Sequence, residues 1–383
     1  MYICNMQKKI ASSIILLLAL VILITHCTFK KNNQPGPLAF LPSNLKDSVY
    51  LYPGNPFSEA KARLGKYLFY DRRLSVNDTK SCATCHAPEF SFTDNYIRSI
   101  GALGALHQRN ARPLINLVFK QYLTAADSSI HFPEQQINNP MFNTTPVEMG
   151  WKGNEKIILE KLMKDKLYAT LFAKAFPGQQ QPFTVTNVQY AITSFIKTII
   201  SLSSPYDNYI NKKIELDSSV IRGMQLFFSK NLQCASCHAG KDFDTPANKD
   251  FYANTGLYNN DNAFHYPEAD KGLFEITGKK EDIGKFRIPT LRNLAFTGPY
   301  LHDGSAASLT DVILIYENGG RVITKGSNKG DGRINTNKNS LIKGFQLNSQ
   351  QRNDLISFLL SLSDSSILTN PRYANPYIED ETK

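Results

Sequence analysis

Two five-residue stretches decide the fold, Cys82-Ala-Thr-Cys85-His86 and Cys234-Ala-Ser-Cys237-His238. In each stretch two cysteines stand three positions apart, so one helical turn places both thiols on the same side, and a histidine follows at once. This spacing is typical of covalent haem c attachment, in which the thiols form thioethers to one haem and the imidazole binds its iron. The sequence therefore predicts two haem groups, with His86 and His238 as iron ligands.

Two other interpretations of the same cysteines stay open at this stage. A thioredoxin-like redox pair needs no histidine after the second cysteine. A zinc site built from four Cys or His ligands would need partner ligands at tighter spacing than the 152 residues between Cys82 and Cys234. Haem attachment explains the complete pattern, including the repeated histidine.

The N-terminus is predicted to direct export. Lys8 and Lys9 precede an apolar run that is short for a membrane-spanning helix, so residues 1–27 are interpreted as a signal peptide. Cys27 follows Leu-Ile-Thr-His in the manner of a lipoprotein cleavage site, and residues 28–50 are predicted to be a flexible tether. We expect a periplasmic protein tethered by a lipid on Cys27, with an uncleaved membrane anchor as the alternative.

Charge and composition favour a solvated surface. The chain has 43 Lys and Arg against 33 Asp and Glu, a net charge of +10, and loss of residues 1–27 would lower this to +8. The basic residues are scattered and form no block of five, so no nucleic acid partner is predicted.

The periodicity of apolar residues predicts a mainly α fold of two cytochrome c-like domains, each wrapped around one covalently attached haem c. Helices are expected over 57–70 and 218–228, directly before the two cysteine pairs, and over 157–176 and 185–202 between them. The boundary is predicted at Ser204-Pro205, which divides the exported chain into 51–204 and 205–383.

Further motifs resemble the bacterial di-haem cytochrome c peroxidase and MauG family. They occur in family order and are Leu64-Gly-Lys-Tyr-Leu-Phe-Tyr-Asp-Arg-Arg-Leu-Ser75, Phe92-Thr-Asp94, Arg109-Asn-Ala-Arg-Pro113, Pro146-Val-Glu-Met-Gly150, Phe286-Arg-Ile-Pro-Thr-Leu-Arg-Asn293 and Thr297-Gly-Pro-Tyr-Leu-His-Asp-Gly304. The resemblance implies an oxidoreductase that reduces hydrogen peroxide at the N-terminal haem. Electrons would reach it through the C-terminal haem from a small donor protein, a cytochrome c or a cupredoxin.

The resemblance also assigns residues to the peroxide pocket. Glu148 matches the carboxylate over the open face of the first haem, where a buried Glu can take a proton from one peroxide oxygen and return it to the other. Gln136 matches a second polar group of the same pocket.

Axial ligands distinguish branches of the family. The peroxidase branch has a His that caps the first iron, and this chain has Ala102 at that position. The resemblance therefore implies an open first haem, as in MauG-like members. His107 is the alternative ligand of the first iron. At the position of the second haem's usual Met stands Tyr316, fourteen residues after His302, and no methionine follows Met224. The resemblance therefore implies Tyr316 as ligand, with His265 as a further candidate.

One feature departs from the family. The Trp that usually lies between the haems is replaced by the stretch Ala126-Asp-Ser-Ser129, so Trp151, Tyr122 or direct tunnelling must substitute. Two other functions therefore stay open, a di-haem electron carrier without peroxidase turnover and a MauG-like oxidase of a protein or organic substrate.

The family also binds Ca²⁺ between its domains through an Asn side chain and two backbone carbonyls. These match Asn110, Thr297 and Pro299 here, and oxygen ligands suit this cation. Homodimer formation, frequent in the family, is a further expectation.

Overall fold

The computed structural model describes residues 41, 45, 48–259, 266–267 and 269–380, the last two without their side chains. Residues 43–383 form one unit whose regular structure is almost entirely helical, so the predicted mainly α fold is confirmed. The predicted signal peptide, Cys27 and His265 lie outside the described residues.

Helices alternate with long loops along the described chain. Before and at the predicted boundary the helices are α1 Glu59–Tyr70, α2 Cys82–Cys85, α3 Pro133–Gln136, α4 Asn138–Phe142, α5 Glu155–Met163, α6 Lys166–Ala175, α7 Val185–Lys197 and α8 Pro205–Ile210. After it they are α9 Ser218–Phe227, α10 Cys234–Cys237, α11 Phe274–Thr277, α12 Leu309–Glu317, α13 Ser349–Ser361, α14 Ser366–Thr369 and α15 Pro376–Asp380.

The strands are short and pair as two antiparallel ladders. β1 Tyr252–Ala253 pairs with β2 Phe286–Arg287, and β3 Val322–Ile323 pairs with β4 Gly330–Asp331. Single turns of 3₁₀ helix occur at Arg72–Leu74, Pro88–Phe90, Leu117–Phe119, Lys280–Asp282 and Gly332–Ile334.

The helix that precedes the first cysteine pair, α1, packs tightly across α7. The contact depends on Gly65, because a Cβ at this position would lie 1.9 Å from the carbonyl oxygen of Ala191. Only the absence of a side chain lets the two backbones approach this closely. The apolar face of α1, which includes Leu64, Leu68 and Phe69, is buried against this partner.

The helix that precedes the second cysteine pair, α9, repeats the arrangement with α13. A Cβ on Gly223 would lie 1.9 Å from the carbonyl oxygen of Asp354. Arg222 adds a bidentate ion pair to the Asp354 side chain, at 2.7 and 2.8 Å. Each cysteine pair is thus preceded by one member of a glycine-mediated helix crossing.

Two main clusters of buried apolar side chains accompany these helix pairs. The first surrounds α1 and α7, and the second contains Phe227, Phe243 and Phe358. The end of the chain returns to the first cluster, where Tyr373 is buried and its hydroxyl donates to the carbonyl of Thr198 at 2.8 Å.

The expectation of one helix over 157–176 is wrong. The structure has two helices there, α5 and α6, separated at Asp165. The carboxylate of Asp165 accepts a hydrogen bond from the backbone N–H of Leu167 at 2.9 Å and so caps the start of α6. Arg73 binds the same carboxylate at 3.0 Å, which fixes the break.

Candidate functional site

The first cysteine pair lies on a single helical turn, α2. The backbone N–H of His86 donates to the carbonyl of Cys82 at 3.0 Å and closes this turn. The chain then folds back through a bridge between Ala87 and Thr93, which brings the carbonyl of Phe92 to 2.9 Å from His86 Nδ1. A carbonyl at Nδ1 selects the tautomer that leaves Nε2 free to bind a metal.

The second pair has the same local structure. The N–H of His238 donates to the carbonyl of Cys234 at 2.9 Å, and a bridge joins Ala239 to Thr245. The carbonyl of Phe243 lies 2.9 Å from His238 Nδ1. Both stretches therefore present two thiols on one turn and a histidine ring oriented by a backbone carbonyl.

The thiols are not prepared for redox exchange. All four are free, and burial raises the pKa of Cys82 and of Cys234 to about 12. Reactive cysteine pairs have lowered pKa values, so this environment opposes a thioredoxin-like role. No cluster of three or more His, Cys, Asp or Glu able to hold a metal ion occurs in the part of the chain that the structure describes.

Two buried arginines supply an independent test of whether haem fits. Nη1 of Arg112 and Nε of Arg287 are enclosed and have no hydrogen-bond partner, although Nη1 of Arg287 pairs with the Asp244 carboxylate at 3.2 Å. Burial lowers the pKa of Arg112, and the neighbouring Arg287 lowers it further. Buried guanidinium groups need anionic partners, and the propionates of haem are carboxylates of this kind. The enclosed, unpartnered nitrogen of Arg112, whose backbone lies beside His86, therefore fits a haem propionate.

Glu148 lies in a partly enclosed environment. Burial raises the pKa of its carboxyl to about 7, and a hydrogen bond from the Asn143 side chain opposes this shift. A carboxyl of this kind exchanges a proton near neutral pH, as a general acid-base group must. Asn143 was not found from the sequence, since a single Asn in a loop carries no pattern.

The loop that lies beside Glu148 carries both Ala102 and His107. The N–H of Ala102 donates to the carbonyl of Glu148 at 2.8 Å, and a Cβ on Gly101 would meet the carbonyl oxygen of Val147 at 2.0 Å. Nδ1 of His107 lies 3.9 Å from Oε2 of Glu148. Both residues that were considered for the open face of the first haem are thus neighbours of Glu148.

Gln136 ends helix α3 and is half-buried. Its carbonyl oxygen Oε1 lies 3.5 Å from the Asn139 side-chain nitrogen, at the limit for a hydrogen bond. No hydrogen bond joins Gln136 to Glu148 within the described residues.

Tyr316 lies on α12 and faces the second cysteine pair. Burial raises the pKa of its hydroxyl, and the thiols of Cys237 and Cys234 are close enough to add to the shift. The sequence-predicted ligand is therefore near the second attachment stretch.

The proposed calcium ligands belong to adjacent loops. The side-chain nitrogen of Asn110 donates to the carbonyl of Tyr96 at 2.9 Å, and its backbone N–H donates to the carbonyl of His302 at 2.8 Å. Thr297 and Pro299 precede His302 in the same loop, and no hydrogen bond among the described residues links either one to the Asn110 side chain.

The candidates for the missing Trp are in different environments. Trp151 is fully buried in the first apolar cluster, and its indole N–H donates to the carbonyl of Leu74 at 2.7 Å. Tyr122 instead contacts Phe251 and Tyr252, with ring centroids 5.0 and 6.0 Å apart. These two partners come from the other side of the predicted boundary.

No helix among the described residues is both long and apolar enough to cross a membrane.

Comparison with known proteins identifies relatives along most of the chain. Residues 59–215 match the family model described as "Di-haem cytochrome c peroxidase". The chain is 30% identical to "Cytochrome-c peroxidase IdrP1" of Pseudomonas sp. (strain SCT), over 97% of this chain and 98% of the relative. It is also 30% identical to "Methylamine utilization protein MauG" of Methylorubrum extorquens, over 85% of each chain.

A solved structure supports the fold. The chain resembles a "MauG-like protein associated with microbial copper homeostasis" with a TM-score of 0.84 and 39% identity, over 88% of this chain and 98% of the other.

Proposed function

The chain belongs to the di-haem cytochrome c peroxidase and MauG family, and from this membership we propose that it is an exported oxidoreductase that reduces hydrogen peroxide at its N-terminal haem. Two electrons would come from a small donor protein, a cytochrome c or a cupredoxin, through the C-terminal haem. The residues that differ from the peroxidase branch give it MauG-like ligation.

Covalent attachment is assigned to the four cysteines of the two stretches, with the Nε2 atoms of His86 and His238 as iron ligands. The carbonyl at each Nδ1 supports this role because it fixes the ring and its tautomer. When bound, haem iron supplies the redox chemistry that breaks the O–O bond. Residues 51–204 and 205–383 are the proposed haem-binding domains.

The observation that carries the proposal is the environment of Glu148, the carboxyl with a pKa raised to about 7. As a carboxylate it takes a proton from one peroxide oxygen, and as the acid it returns that proton to the other oxygen, which leaves as water. Its backbone carbonyl is fixed by the N–H of Ala102, so the side chain projects from an anchored segment. Gln136 is proposed as a second polar group of this pocket.

Ala102 and Tyr316 support the MauG-like branch. Alanine cannot bind iron, which leaves one face of the first haem open to peroxide. Tyr316 lies close to Cys234 and Cys237 and is the proposed second ligand of the C-terminal haem.

A second candidate function is oxidation of a protein or organic substrate. The 39% identity to a MauG-like protein over 88% of this chain motivates this candidate, because the open first haem and the tyrosine ligand are proposed to be shared with MauG-like members. In both cases peroxide reacts at the same haem, and only the source of electrons differs.

The route between the haems is proposed to pass Tyr122 rather than Trp151. The Tyr122 ring joins Phe251 and Tyr252 across the predicted boundary, whereas Trp151 is enclosed in the first apolar cluster. Failure of this route would leave a di-haem electron carrier without peroxidase turnover.

The remaining proposals rest on the sequence and the family. They are a periplasmic location, a lipid on Cys27, a Ca²⁺ ion held by Asn110, Thr297 and Pro299, and a homodimer.

The proposal is tested by mixing the oxidised holoprotein with peroxide and following the Soret band of the ferric haems. We expect a rapid change without prior reduction, and a rate about 10² to 10⁴ lower in Glu148→Gln, which cannot exchange a proton. Glu160→Gln is the matched control, because Glu160 is half-exposed and pairs only with Lys156 at 4.0 Å.

Two results would contradict the proposal. Absence of a spectral change in the wild type until a reductant is added would show that the first haem is not open. A Glu148→Gln variant as fast as Glu160→Gln would remove the acid-base role and favour an electron carrier.

A further inference from the structure

A tightly paired loop, residues 99–107, holds His107 beside Glu148. The N–H of His107 donates to the carbonyl of Ser99 at 2.9 Å, and a bridge joins Ile100 to Leu106. At the tip, the carbonyl of Ala102 accepts a hydrogen bond from the Asn77 side chain at 2.7 Å. The loop is therefore anchored at its base and at its tip, and the position of the His107 ring is determined by backbone pairing.

The His107 ring differs from both proposed iron ligands. Its Nε2 is enclosed by protein atoms and has no hydrogen-bond partner. In His86 and His238 a backbone carbonyl lies at Nδ1, but the neighbour of His107 Nδ1 is the Glu148 carboxylate at 3.9 Å. An enclosed Nε2 cannot reach a haem iron unless the loop moves.

The side chains of His107 and Glu148 are shielded from water to a similar extent. The side chains of His107 and Glu148 are 18% and 23% exposed. A separation of 3.9 Å exceeds a hydrogen bond, but catalytic hydrogen bonds are often long before substrate binds and tighten in the complex.

We propose that His107 is a positioning residue of the peroxide site, which acts through Glu148 by sharing one proton with its carboxyl and does not bind iron. This inference rests on the proposed function. The proton moves from Oε2 of the Glu148 acid to Nδ1 of the neutral imidazole, which gives a carboxylate and an imidazolium, and it returns after the peroxide proton has been delivered. The net charge of the pair does not change, and no oxidant or reductant is required.

The electrostatic surroundings agree with a neutral starting pair. Burial raises the pKa of Glu148 to about 7 and lowers the pKa of His107, so both groups favour their uncharged forms. The other charged or titratable groups that act on His107 are His86 and Lys80, which lower its pKa, and Asp94, which raises it. Transfer of the proton therefore supplies the carboxylate that peroxide needs without bringing a new proton into the site.

The test compares His107→Ala, His107→Gln and the neighbouring control Gln108→Ala as holoproteins. Gln108 lies in the same chain segment, is exposed, and donates to the carbonyl of Ala269 at 3.1 Å. We expect both His107 variants to react with peroxide about 10- to 100-fold more slowly than the control, the usual effect of losing a supporting partner. Glutamine keeps a polar side chain, but its amide cannot accept and return a proton as an imidazole does. It should therefore not restore the rate.

Electron paramagnetic resonance of the resting oxidised proteins supplies a readout that is independent of turnover. The signal of the first haem should be the same in wild type, His107→Ala and His107→Gln. A change in its spin state would identify His107 as an iron ligand and overturn the proposal, as would a His107→Gln variant as fast as Gln108→Ala.

Failure of the proposed function gives a different pattern. If the wild type does not react with peroxide, both conclusions are wrong. If Glu148→Gln is slow while the His107 variants are fast, only the role of His107 is wrong.

Discussion

The two proposed haem-attachment segments, residues 81–93 and 233–245, are built alike, whereas the residues that surround them differ. Both have a cysteine turn, a bridge after it, and a carbonyl 2.9 Å from the histidine Nδ1. The helix before each one crosses a partner helix at a glycine whose Cβ would lie 1.9 Å from a backbone oxygen. The local structure proposed to attach haem is therefore repeated almost unchanged.

The differences lie in the residues that the long loops and α12 bring to each segment. Near the first segment these residues are Ala102, His107 and Glu148. Ala102 cannot bind iron, Nε2 of His107 is enclosed, and the carboxyl of Glu148 has a raised pKa. Near the second it is Tyr316, a residue able to bind iron. The comparison indicates that attachment and reactivity are separable: the cysteine turn is the proposed attachment point of the cofactor, and distant segments would decide what it does.

Removal of either cysteine pair should have the largest effect on this comparison. Cys82→Ala with Cys85→Ala should abolish the reaction with peroxide and leave one covalent haem, whereas Cys234→Ala with Cys237→Ala should leave the other haem and stop only the electron supply. Intact mass and a Soret measurement after peroxide addition distinguish the two. Equal losses of peroxide reactivity in both double variants would contradict a division of labour.

The glycine crossings should be equally sensitive in both halves. Gly65→Ala and Gly223→Ala each place a Cβ 1.9 Å from a carbonyl oxygen, so the helices must separate. Overpacking of this kind costs about 1–3 kcal/mol of unfolding free energy. Arg63→Ala and Gln225→Ala are controls on the same helices, since both residues are exposed.

Chemical denaturation of the holoproteins measures this effect. A clear loss of stability for one glycine variant and none for the other would show that the two helix pairs are not equivalent. Stability of both variants at the level of the controls would show that the crossings relax without cost.

Much of this repeated architecture was predicted from the sequence, because the C-x-x-C-H spacing and the apolar faces of α1 and α9 are local patterns. The role of Gly65 and Gly223 was not, since a glycine in a helix carries no sign of what packs against it. The break at Asp165 was missed because the apolar periodicity continues across it. The return of Tyr373 to the first cluster depends on packing between residues far apart in sequence.

The site was predicted less completely than the fold. Glu148 and Tyr316 were found only through resemblance to a family, since a single Glu after a turn or a Tyr at the end of a helix has no distinctive pattern. Arg112 belongs to the motif Arg109–Pro113, but only its enclosed, unpartnered nitrogen indicates a need for an anionic partner. Asn143 had no signal at all.

The pH dependence of the peroxide reaction should separate the two halves, because among the described residues the carboxyl with a raised pKa, Glu148, lies in the first half. Burial favours the protonated carboxyl and raises its pKa to about 7, so the reactive carboxylate is scarce at lower pH. In His107→Gln, which lacks the proposed acceptor of this proton, the rate should rise about tenfold per pH unit below this value, the limit for one proton, and level off above it. In the wild type the rise should be shallower, because transfer to His107 supplies the carboxylate from the acid form. In Glu148→Gln this dependence should be absent.

The same group links pH to stability. Because the folded state holds a proton that the unfolded chain releases above the ordinary pKa of 4.5, this group favours folding below that value, and its contribution is lost as pH rises through about 7. Denaturation of the wild type and Glu148→Gln at several pH values measures it. A larger decline in the variant than in the wild type would contradict the assignment.

Substitution of Tyr316 should produce the smallest change, confined to the second haem. Tyr316→Phe keeps the ring and removes the oxygen, so the phenolate charge-transfer band should disappear and the midpoint potential of this haem should rise, because a phenolate stabilises ferric iron. Both haems should stay attached, and the spectrum of the first should be unchanged. Tyr209→Phe, half-buried on α8, is the matched control. A second-haem spectrum identical to that of the control would exclude Tyr316 as ligand. Another residue would then have to bind the second iron for the two haems to differ in ligation.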